Sequence, residues 1–333
     1  MLLTVLCLTL AAPAAAASQN TSWAQREIRV VTLRGLMGGS AASFRPDAPV
    51  TNAALADLVA GLTERRAAAP ADPTAPVTMA KLDAGLVAGL GLRADAAAFA
   101  TAAKTAGLAP PSRFGTEVVA RLLGLRTNHP AGQETLELLP SDTATRAEAA
   151  FSAAQILGLG DWELQSVDDA AQTFELPDLT TWQRRILRVA LSFIGYPYVW
   201  GGTSEHAQTP LGVATPGGFD CSGFVWRVYK LQSYAGAPQL SGVLRGRTTM
   251  AMSGEVANSA RIGLDDLQPA DVLFFGSRGP KSKPAQVDHS GIYLGDGWFI
   301  QSSGYGVALA RLDGWYASSF AWGRRPLNEA KLS

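Results

Sequence analysis

The character of the sequence changes near residue 160, and this change predicts two domains of different composition. From about Arg45 to Leu159 the sequence is rich in Ala, Leu and Gly, with Pro between the apolar runs, which favours short packed helices. Seven of the eight tryptophans follow Asp161, and short apolar runs such as VLFF and WFIQ predict β-strands there. We therefore predict an α+β protein with an all-α repeat-like domain over 24–160, a linker over 161–180 and a mixed domain over 181–328.

The net charge of the chain limits its electrostatic partners, and its first residues predict export from the cell. The 28 basic and 28 acidic residues give a formal net charge of zero, which argues against nucleic acid or an anionic membrane as a general electrostatic partner. The opening segment MLLTVLCLTLAAPAAAAS is an apolar run followed by small residues, and it predicts a secretory signal peptide over residues 1–18. A membrane anchor is the alternative, but the run is shorter than the ~20 residues that a spanning helix needs. We expect no stable membrane span in the rest of the chain.

Three segments of the helical half share a pattern that indicates internal repeats. They start at Pro46, Pro73 and Pro140, and each places Pro and polar residues before a Thr and an apolar helical run after it. A Thr hydroxyl can accept a hydrogen bond from a free amide of the first helical turn, so each Thr is a predicted N-cap. In the third segment Glu148 completes a predicted capping box. The predicted N-caps are Thr51, Thr78 and Thr145.

The third segment also carries Thr-Arg-Ala-Glu at 145–148, which resembles the opening signature of S-layer homology repeats. The other two segments lack this signature, and the spacing between the three is uneven. The resemblance implies a domain that binds a cell-wall polymer. The alternative is an Ala-rich helical spacer that packs on the C-terminal domain.

The segment GGFDCSGFVWRVYKL, which starts at Gly217, predicts a helix with a cysteine in its first turn. Asp220 is a good N-cap, and the apolar residues after it recur at helical spacing. The partial positive charge of a helix start favours the thiolate form of Cys221, which makes it a candidate nucleophile. The other cysteine, Cys7, lies in the predicted signal peptide, so the mature chain would have no partner for a disulfide. The alternative is a small buried apolar side chain.

A nucleophilic cysteine needs a base, and the chain has three histidines. His129 precedes a proline and His206 lies in a polar Gly- and Pro-rich stretch, so both are predicted on surface loops. His289 begins the run DHSGIYLGDGWFIQSSG, which predicts a β-hairpin that turns at residues 295–297. We therefore predict His289 as the general base.

The length of the hairpin loop decides whether His289 has a polar neighbour. A two-residue Asp-Gly loop would pair Ile292 with Gln301 and place His289 and Gln301 on opposite faces of the sheet. A three-residue Gly-Asp-Gly loop pairs Gly291 with Gln301 and places the same two side chains on one face as diagonal neighbours. We predict the three-residue loop, with the Gln301 amide oxygen accepting the imidazole N–H and fixing the tautomer. The alternative is a polar pair on a solvated strand face.

Four motifs occur in the order typical of NlpC-type cell-wall peptidases, which the domain over 181–328 resembles. They are GYPYVWGG, FDCSGFV, LQPADVLFF and DHSGIYLGDGWFIQSS. The resemblance implies a papain-like core, in which a helix with the cysteine packs on an antiparallel sheet with the histidine. It also implies a secreted, cell-envelope-associated endopeptidase that cleaves peptidoglycan stem peptides between D-glutamate and a diamino acid.

The resemblance assigns roles to individual residues. Cys221 matches the nucleophile, His289 the base and Gln301 the third polar residue, which is more often histidine in such proteins. The residues expected to line the site or to help hold substrate are Tyr198, Asp220 and Ser222. No cofactor is implied, and a lone cysteine with scattered histidines argues against a metal site.

Two other functions stay open on the sequence alone. A non-catalytic protein could recognise the stem peptide while the helical half binds a wall polymer. A CHAP-type amidase would keep the cysteine–histidine pair and cut where the stem joins the sugar. Two loops are longer than usual, one between Gly202 and Gly217 and the other the basic stretch SRGPKSKPAQV before Asp288, and both are expected to bear on substrate choice.

Overall fold

The computed structural model describes residues 22–67, 69–128 and 137–332. The predicted signal peptide, Cys7 and His129 lie outside these described residues.

The helical half, where it is described, consists of α-helices joined by short loops. Their bounds are α1 Gln25–Leu33, α2 Asn52–Thr63, α3 Met79–Gly89, α4 Arg93–Thr105, α5 Phe114–Leu122, α6 Arg146–Ile156 and α7 Asp161–Thr173. Across the described ranges, no single helix is both long and apolar enough to cross a membrane, although α3 and α4, which meet at a bend of 120°, together satisfy the same criteria of length and composition.

Three of these helices confirm the predicted N-caps. The hydroxyls of the three threonines accept hydrogen bonds of 3.2–3.3 Å from the third residue of α2, α3 and α6. The predicted capping box at Thr145 does not form, because the Glu148 carboxylate turns inward and pairs with Arg126 at 2.8 Å. At the start of α6 the Thr145 hydroxyl therefore accepts from the Glu148 N–H, but the Glu148 carboxylate does not accept from the Thr145 N–H in return.

The loops before the three caps close into a ring of backbone hydrogen bonds. The Val50 N–H donates to the Ala144 carbonyl, Ala144 to Val77, and Val77 back to Val50, each at 2.8–2.9 Å. Each repeat thus supplies the partner that the next loop needs, as expected of repeats that cannot satisfy their backbone alone. The three loops therefore lie against one another at the starts of α2, α3 and α6.

The C-terminal half is a five-stranded antiparallel sheet with helices packed on it, in the strand order β6-β5-β4-β3-β7. This architecture confirms the predicted α+β fold class. Its helices are α8 Thr181–Ser192, α9 Cys221–Tyr229, α10 Leu240–Val243, α11 Thr249–Gly254, α12 Gly314–Ser319 and α13 Pro326–Glu329. Its strands are β1 Thr203–Ser204, β2 Gly218–Phe219, β3 Val272–Gly276, β4 Val287–Gly295, β5 Trp298–Ser303, β6 Gly306–Arg311 and β7 Phe320–Arg324. Short 3-10 helices occur at Ala41–Ser43, Pro210–Gly212, Asn258–Ala260, Leu264–Asp266, Gly279–Lys281 and Pro284–Gln286.

The β4–β5 hairpin has the predicted register but not the predicted loop. The turn consists of Asp296 and Gly297, whose φ angles of 47° and 76° are the left-handed values that a two-residue hairpin turn requires. A one-residue bulge just before the turn shifts the pairing, so that Gly291 faces Gln301. His289 and Gln301 therefore share a face of the sheet, and the bulge does what the longer loop was expected to do.

Residues 161–180, predicted as a linker, form a helix and contribute four buried side chains to the core. They include α7 and also Phe174, whose ring centroid lies 5.1 Å from those of both Phe99 and Trp298. A single cluster of buried apolar side chains runs from α1 to the C-terminal residues that follow α13. The helical half and the sheet domain are thus packed on each other, because aromatic side chains from both halves interdigitate through this segment.

Candidate active site

Cys221 lies in the first turn of α9 and lines a cavity of about 780 Å³. Asp220 caps the helix, because its carboxylate accepts hydrogen bonds from the Gly223 N–H and, at 2.9 Å, from the Ser222 hydroxyl. A Cβ at Gly223 would lie 1.9 Å from the Gly202 carbonyl oxygen, so glycine is needed there. This close approach seats α9 against the preceding loop and leaves the thiol half-buried at the cavity.

His289 lies on β4 and lines the same cavity. Its Nε2 donates to the amide oxygen of Gln301 on β5, and the Gln301 amide nitrogen donates to the Tyr316 hydroxyl at 2.5 Å. Because Tyr316 holds the amide with its oxygen toward the imidazole, Nε2 carries the proton and Nδ1 is the free, basic nitrogen. The Phe275 ring packs 5.6 Å from the imidazole and limits its rotation.

The structure brings the thiol to the strand that carries the imidazole. The Cys221 Sγ lies 3.9 Å from the backbone carbonyl oxygen of Asp288, the residue directly before His289. Helix α9 packs on β4, so this contact follows from two regular elements rather than from a loop. A candidate nucleophile and a candidate base from distant parts of the chain therefore meet at one cavity.

Burial, more than the helix start, sets the protonation of this pair. Burial and then the adjacent Asp220 carboxylate raise the pKa of the Cys221 thiol to about 11, although backbone N–H groups oppose the shift. Burial also lowers the pKa of His289, against the effect of its hydrogen bond to Gln301. Both shifts favour a neutral thiol beside a neutral imidazole. Both shifts oppose the thiolate that the helix N-terminus was expected to favour.

Asp220 and Ser222, which were expected to help hold substrate, are joined in one network with Arg247. Arg247 donates to the Ser222 hydroxyl at 2.7 Å and pairs with the Asp220 carboxylate at 3.0 Å. The same carboxylate accepts the Gly201 N–H at 2.9 Å. Asp220 therefore fixes the surroundings of the nucleophile, while the Ser222 hydroxyl and Arg247 still border the cavity.

Tyr198, the third residue expected at the substrate, is half-buried and lines the cavity with Cys221. Burial and then the nearby Cys221 and Asp220 raise the pKa of its phenol, so the hydroxyl stays protonated. Its loop is held against the nucleophile segment, because the Val199 N–H donates to the Phe219 carbonyl at 3.1 Å. A protonated hydroxyl in this position can donate to an oxygen that becomes negative during a reaction.

Sequence reasoning missed Arg247 and Tyr316. Arg247 precedes Thr248, the N-cap of α11, which is a detectable helix start but gives no sign of an active-site role. Tyr316 lies on α12, and its ring packs 5.5 Å from that of Phe275 on β3. Its distance from Gln301 depends on how α12 folds back over the sheet, and no local pattern reports this.

Both of the longer loops border the cavity. The loop over 202–217 places Leu211 on its wall and is fastened to α9 by hydrogen bonds of 2.6 and 2.7 Å between Glu205 and Arg227. The basic stretch reaches the cavity through residues 285–287. One wall of the cleft is therefore attached to the same helix that carries the nucleophile.

His206 lies on the exposed part of the first loop, with its Nε2 3.9 Å from a Glu205 carboxylate oxygen. Among residues 22–67, 69–128 and 137–332, no group of three or more His, Cys, Asp or Glu side chains is placed to hold a metal ion.

The geometry of the residues around the cavity defines the class of site. A cysteine at a helix start, a histidine on the packed antiparallel sheet and an amide that orients the imidazole form a papain-like cysteine–histidine centre. Residues 195–325 match the NlpC/P60 family. Residues 195–325 are therefore an NlpC/P60 domain, as the four sequence motifs predicted.

The match to the curated relatives spans less than half of their length. A probable endopeptidase of Mycobacterium tuberculosis is 35% identical over 124 residues, which cover 37% of this chain and 24% of that relative. A gamma-D-glutamyl-L-lysine dipeptidyl-peptidase of Bacillus subtilis is 29% identical over 124 residues, which cover 37% of this chain and 33% of that relative. An NlpC/P60 family protein from Bacillus cereus, known from its crystal structure, is 26% identical with a TM-score of 0.33, over 46% of this chain and 42% of that one. The resemblance of the helical half to S-layer homology repeats stays a prediction.

Proposed function

We propose that this protein is a cysteine endopeptidase that hydrolyses the peptide stems of peptidoglycan. The observation that carries the proposal is the single cavity lined by Cys221 and His289, with Gln301 and Tyr316 behind the imidazole, in an NlpC/P60 domain. Within this class we propose the bond between D-glutamate and the diamino acid as the bond that is cut. The name of the B. subtilis relative, which specifies a γ-D-glutamyl-L-lysine bond, supports this choice.

The proposed reaction begins from the neutral pair. The Cys221 sulfur attacks the carbonyl carbon of the stem amide while its proton passes to Nδ1 of His289. Since the thiol rests in its protonated form, proton transfer accompanies the attack rather than preceding it. The carbonyl oxygen becomes negative, and the Cys221 N–H and the Tyr198 hydroxyl are the donors proposed to stabilise it.

The second half of the reaction releases the two products. The imidazolium of His289 gives its proton to the leaving amine, and the C–N bond breaks to leave a thioester on Cys221. Water then attacks the thioester carbonyl and gives a proton to Nδ1. The C–S bond breaks, and the imidazolium passes that proton to the departing sulfur, which restores the thiol. Gln301 keeps the ring orientation constant through both proton transfers, because Nε2 stays bonded to its amide oxygen.

Cys221→Ala tests the proposal on purified sacculi. We expect the wild-type protein to release stem fragments and the variant to release none, with little change in its thermal unfolding midpoint. Undiminished cleavage by the variant would refute the assigned nucleophile. Mass spectrometry of the products separates the candidates: a new diamino-acid amino terminus indicates the endopeptidase, a freed sugar–stem junction indicates the CHAP-type amidase, and sacculus binding without products indicates a non-catalytic protein.

We further propose that the protein is secreted and associated with the cell envelope, and that its helical half binds an anionic wall polymer. The binding place would be the α2–α3 groove, a cavity of about 610 Å³ between these helices. Arg65, Arg66 and Arg93 border it, and no partner for their side chains exists among the described residues. Leu55 and Val59 give the groove an apolar wall. Free cations beside apolar surface suit a polymer with anionic groups on a sugar backbone.

Charge reversal in the α2–α3 groove tests this binding. We expect Arg65→Glu with Arg93→Glu to abolish retention on purified anionic wall polymer, because both substitutions oppose the bound charge. Arg34→Glu, at an exposed residue just after α1, makes the same kind of charge change elsewhere and should retain binding. Equal loss in both variants would show non-specific charge attraction, and no retention of the wild-type protein would favour a helical spacer. Recovery of the native protein from the culture medium, with an amino terminus near Ser18, tests secretion.

A further inference from the structure

Six buried ionisable side chains form what we call the ionic cluster, where the helical half meets the peptidase domain. All six belong to the helical half, and none is more than 6% exposed. Buried charges are costly unless they are paired, so a cluster of this size needs a structural reason. Its members are Asp83, Glu117, Arg121, Arg126, Glu137 and Glu148.

The two arginines of the ionic cluster have different partners. Arg126 pairs with three carboxylates of the helical half, at 2.8–3.7 Å. Arg121 also pairs with Glu137, at 2.8 Å, but its guanidinium reaches across to the peptidase domain. There it donates to the backbone carbonyl of Gly195 at 2.7 Å and to that of Tyr305. Arg121 is therefore the member of this pair that touches the NlpC/P60 domain.

The two carbonyls belong to backbone segments that lead to the active site. Gly195 opens the segment that reaches Tyr198, and the other carbonyl lies in the β5–β6 turn. These segments also bond to each other, since the Gly195 N–H donates to the Val307 carbonyl at 2.9 Å and the Val307 N–H donates to the Tyr196 carbonyl at 2.8 Å. Arg121 thus holds the two segments at the point where they pair.

Two glycines make room for this contact. Gly195 and Gly306 have φ angles of +86° and +69°, in the region that favours glycine. A Cβ at Gly195 would lie 2.6 Å from the Glu117 carboxylate, and a Cβ at Gly306 would lie 2.6 Å from Nη1 of Arg121. The peptidase segments are therefore shaped to admit charged groups from the helical half.

The segment held by Arg121 connects to the nucleophile through two further hydrogen bonds. The Phe219 N–H donates to the Pro197 carbonyl and the Val199 N–H donates to the Phe219 carbonyl, both at 3.1 Å. Phe219 stands two residues before Cys221 in the chain. A shift of this segment would therefore move Tyr198 and the start of α9 together.

We infer that Arg121 is a positioning residue for the peptidase reaction and that the helical half is part of the catalytic unit. The inference rests on the proposed function. Through two backbone carbonyls, the guanidinium holds Tyr198 and Cys221 in the relative placement that attack on a stem amide requires. Small displacements are enough to matter, because a misplacement of about 1 Å can cost on the order of a hundredfold in rate.

Arg121→Met and Arg126→Met form a matched pair, since each removes one buried guanidinium from the same cluster. Both are expected to lower the thermal unfolding midpoint, because each removes a buried positive charge from beside buried carboxylates. Only Arg121→Met is expected to lower kcat per folded molecule, about tenfold or more, with a smaller change in KM. Arg121→Lys keeps a charged donor near the carbonyls and should recover part of kcat, and it replaces Arg121→Met if that variant does not fold.

Hydrogen exchange gives a second measurement that needs no substrate. Exchange of the Val199 and Val307 amides should become faster in Arg121→Met and stay at the wild-type rate in Arg126→Met. Equal loss of kcat and equal exchange in the two variants would overturn the inference, as would an unchanged kcat in Arg121→Met. If the wild-type protein does not cleave sacculi, the proposed function fails, while the exchange rates still decide whether Arg121 holds the two segments.

Discussion

The cleft lined by Cys221 and His289 and the α2–α3 groove are cavities of about 780 and 610 Å³ that differ in how their arginines are paired. In the cleft, Arg247 is neutralised by Asp220, and the thiol and imidazole are both favoured in neutral form. In the groove, three guanidinium groups have no partner among the described residues. A site that moves protons benefits from fixed, paired charges, whereas a site that collects a charged polymer from solution benefits from free ones.

This contrast separates the effects that changes in each cavity should have. Substitutions in the cleft should alter turnover and its pH dependence and leave polymer binding unchanged. Substitutions or salt that act on the groove should alter polymer binding and leave hydrolysis of a small soluble stem peptide unchanged.

Gln301→Leu should lower turnover more than any other proposed substitution that leaves both Cys221 and His289 in place. Without the amide oxygen the imidazole loses its fixed tautomer and orientation, so we expect kcat to fall about a hundredfold. The hydrogen bond to Gln301 raises the pKa of His289. Its loss should therefore also move the acid limb of the pH–rate profile to lower pH. Gln301→His is the matched control and should retain activity, and equal rates for all three proteins would show that residue 301 does not orient the base.

The pH–rate profile of the wild-type protein tests the neutral pair directly. Hydrolysis should decline only below the usual histidine pKa of 6.5, because burial lowers the pKa of His289 and the base must be neutral. It should persist at alkaline pH until the thiol ionises, near 11. A resting ion pair would instead lose activity as its imidazolium deprotonates, well before that value. A profile with its alkaline limb near neutrality would contradict the neutral pair.

Asp220→Asn tests whether the carboxylate beside Cys221 contributes to the raised pKa of the thiol. Asparagine is also a good N-cap, so α9 should keep its start while the carboxylate charge beside Cys221 disappears. Because that charge raises the thiol pKa, the inflection in the pH dependence of iodoacetamide alkylation should move below about 11. Asp296→Asn makes the same change on the exposed β4–β5 turn and should leave the inflection in place. An unmoved inflection in Asp220→Asn would assign the raised pKa to burial alone.

Salt should act on the groove and spare the cleft. Raising NaCl from about 50 mM to about 500 mM should weaken retention on the anionic polymer on the order of tenfold, because the exposed guanidinium groups are screened. Hydrolysis of a soluble stem peptide, measured in the same buffers, should change much less. Parallel losses of binding and hydrolysis would show that free charge matters in the cleft as well.

In the β4–β5 hairpin the predicted strand register is confirmed, but the turn and bulge that produce it were not predicted. The need for a polar neighbour beside His289 selected the pairing of Gly291 with Gln301, and the structure has that pairing. The chain reaches it with a two-residue turn and a bulge, which is a backbone choice that alternating side chains do not report. Asp-Gly by itself indicated the shorter loop, and that local signal was correct for the turn.

The other differences from the predictions have one cause. Each depends on contacts between residues that are far apart in the sequence. The helix start at Cys221 indicated a thiolate, but desolvation by surrounding elements outweighs it. Residues 161–180 were expected to be a linker because the apolar residues lose their periodicity there and Leu176-Pro177 follows. The ring that Phe174 contacts, that of Trp298, lies far ahead in the sequence. Arg121 and Tyr316 were missed for the same reason, since their partners are set by how whole elements pack.

Tyr316→Phe should have the smallest effect on kcat among these substitutions. A double-mutant cycle with Gln301→Leu shows whether Tyr316 acts through Gln301. The hydroxyl does not touch the imidazole; it fixes the Gln301 amide so that its oxygen faces the ring. Loss of one hydrogen bond worth about 1 kcal/mol should lower kcat a few fold, because the amide can then rotate. In the Gln301→Leu background no amide remains to be oriented, so the same substitution should change nothing. Equal effects of Tyr316→Phe in both backgrounds would mean that Tyr316 supports the site by packing on Phe275 and not through Gln301.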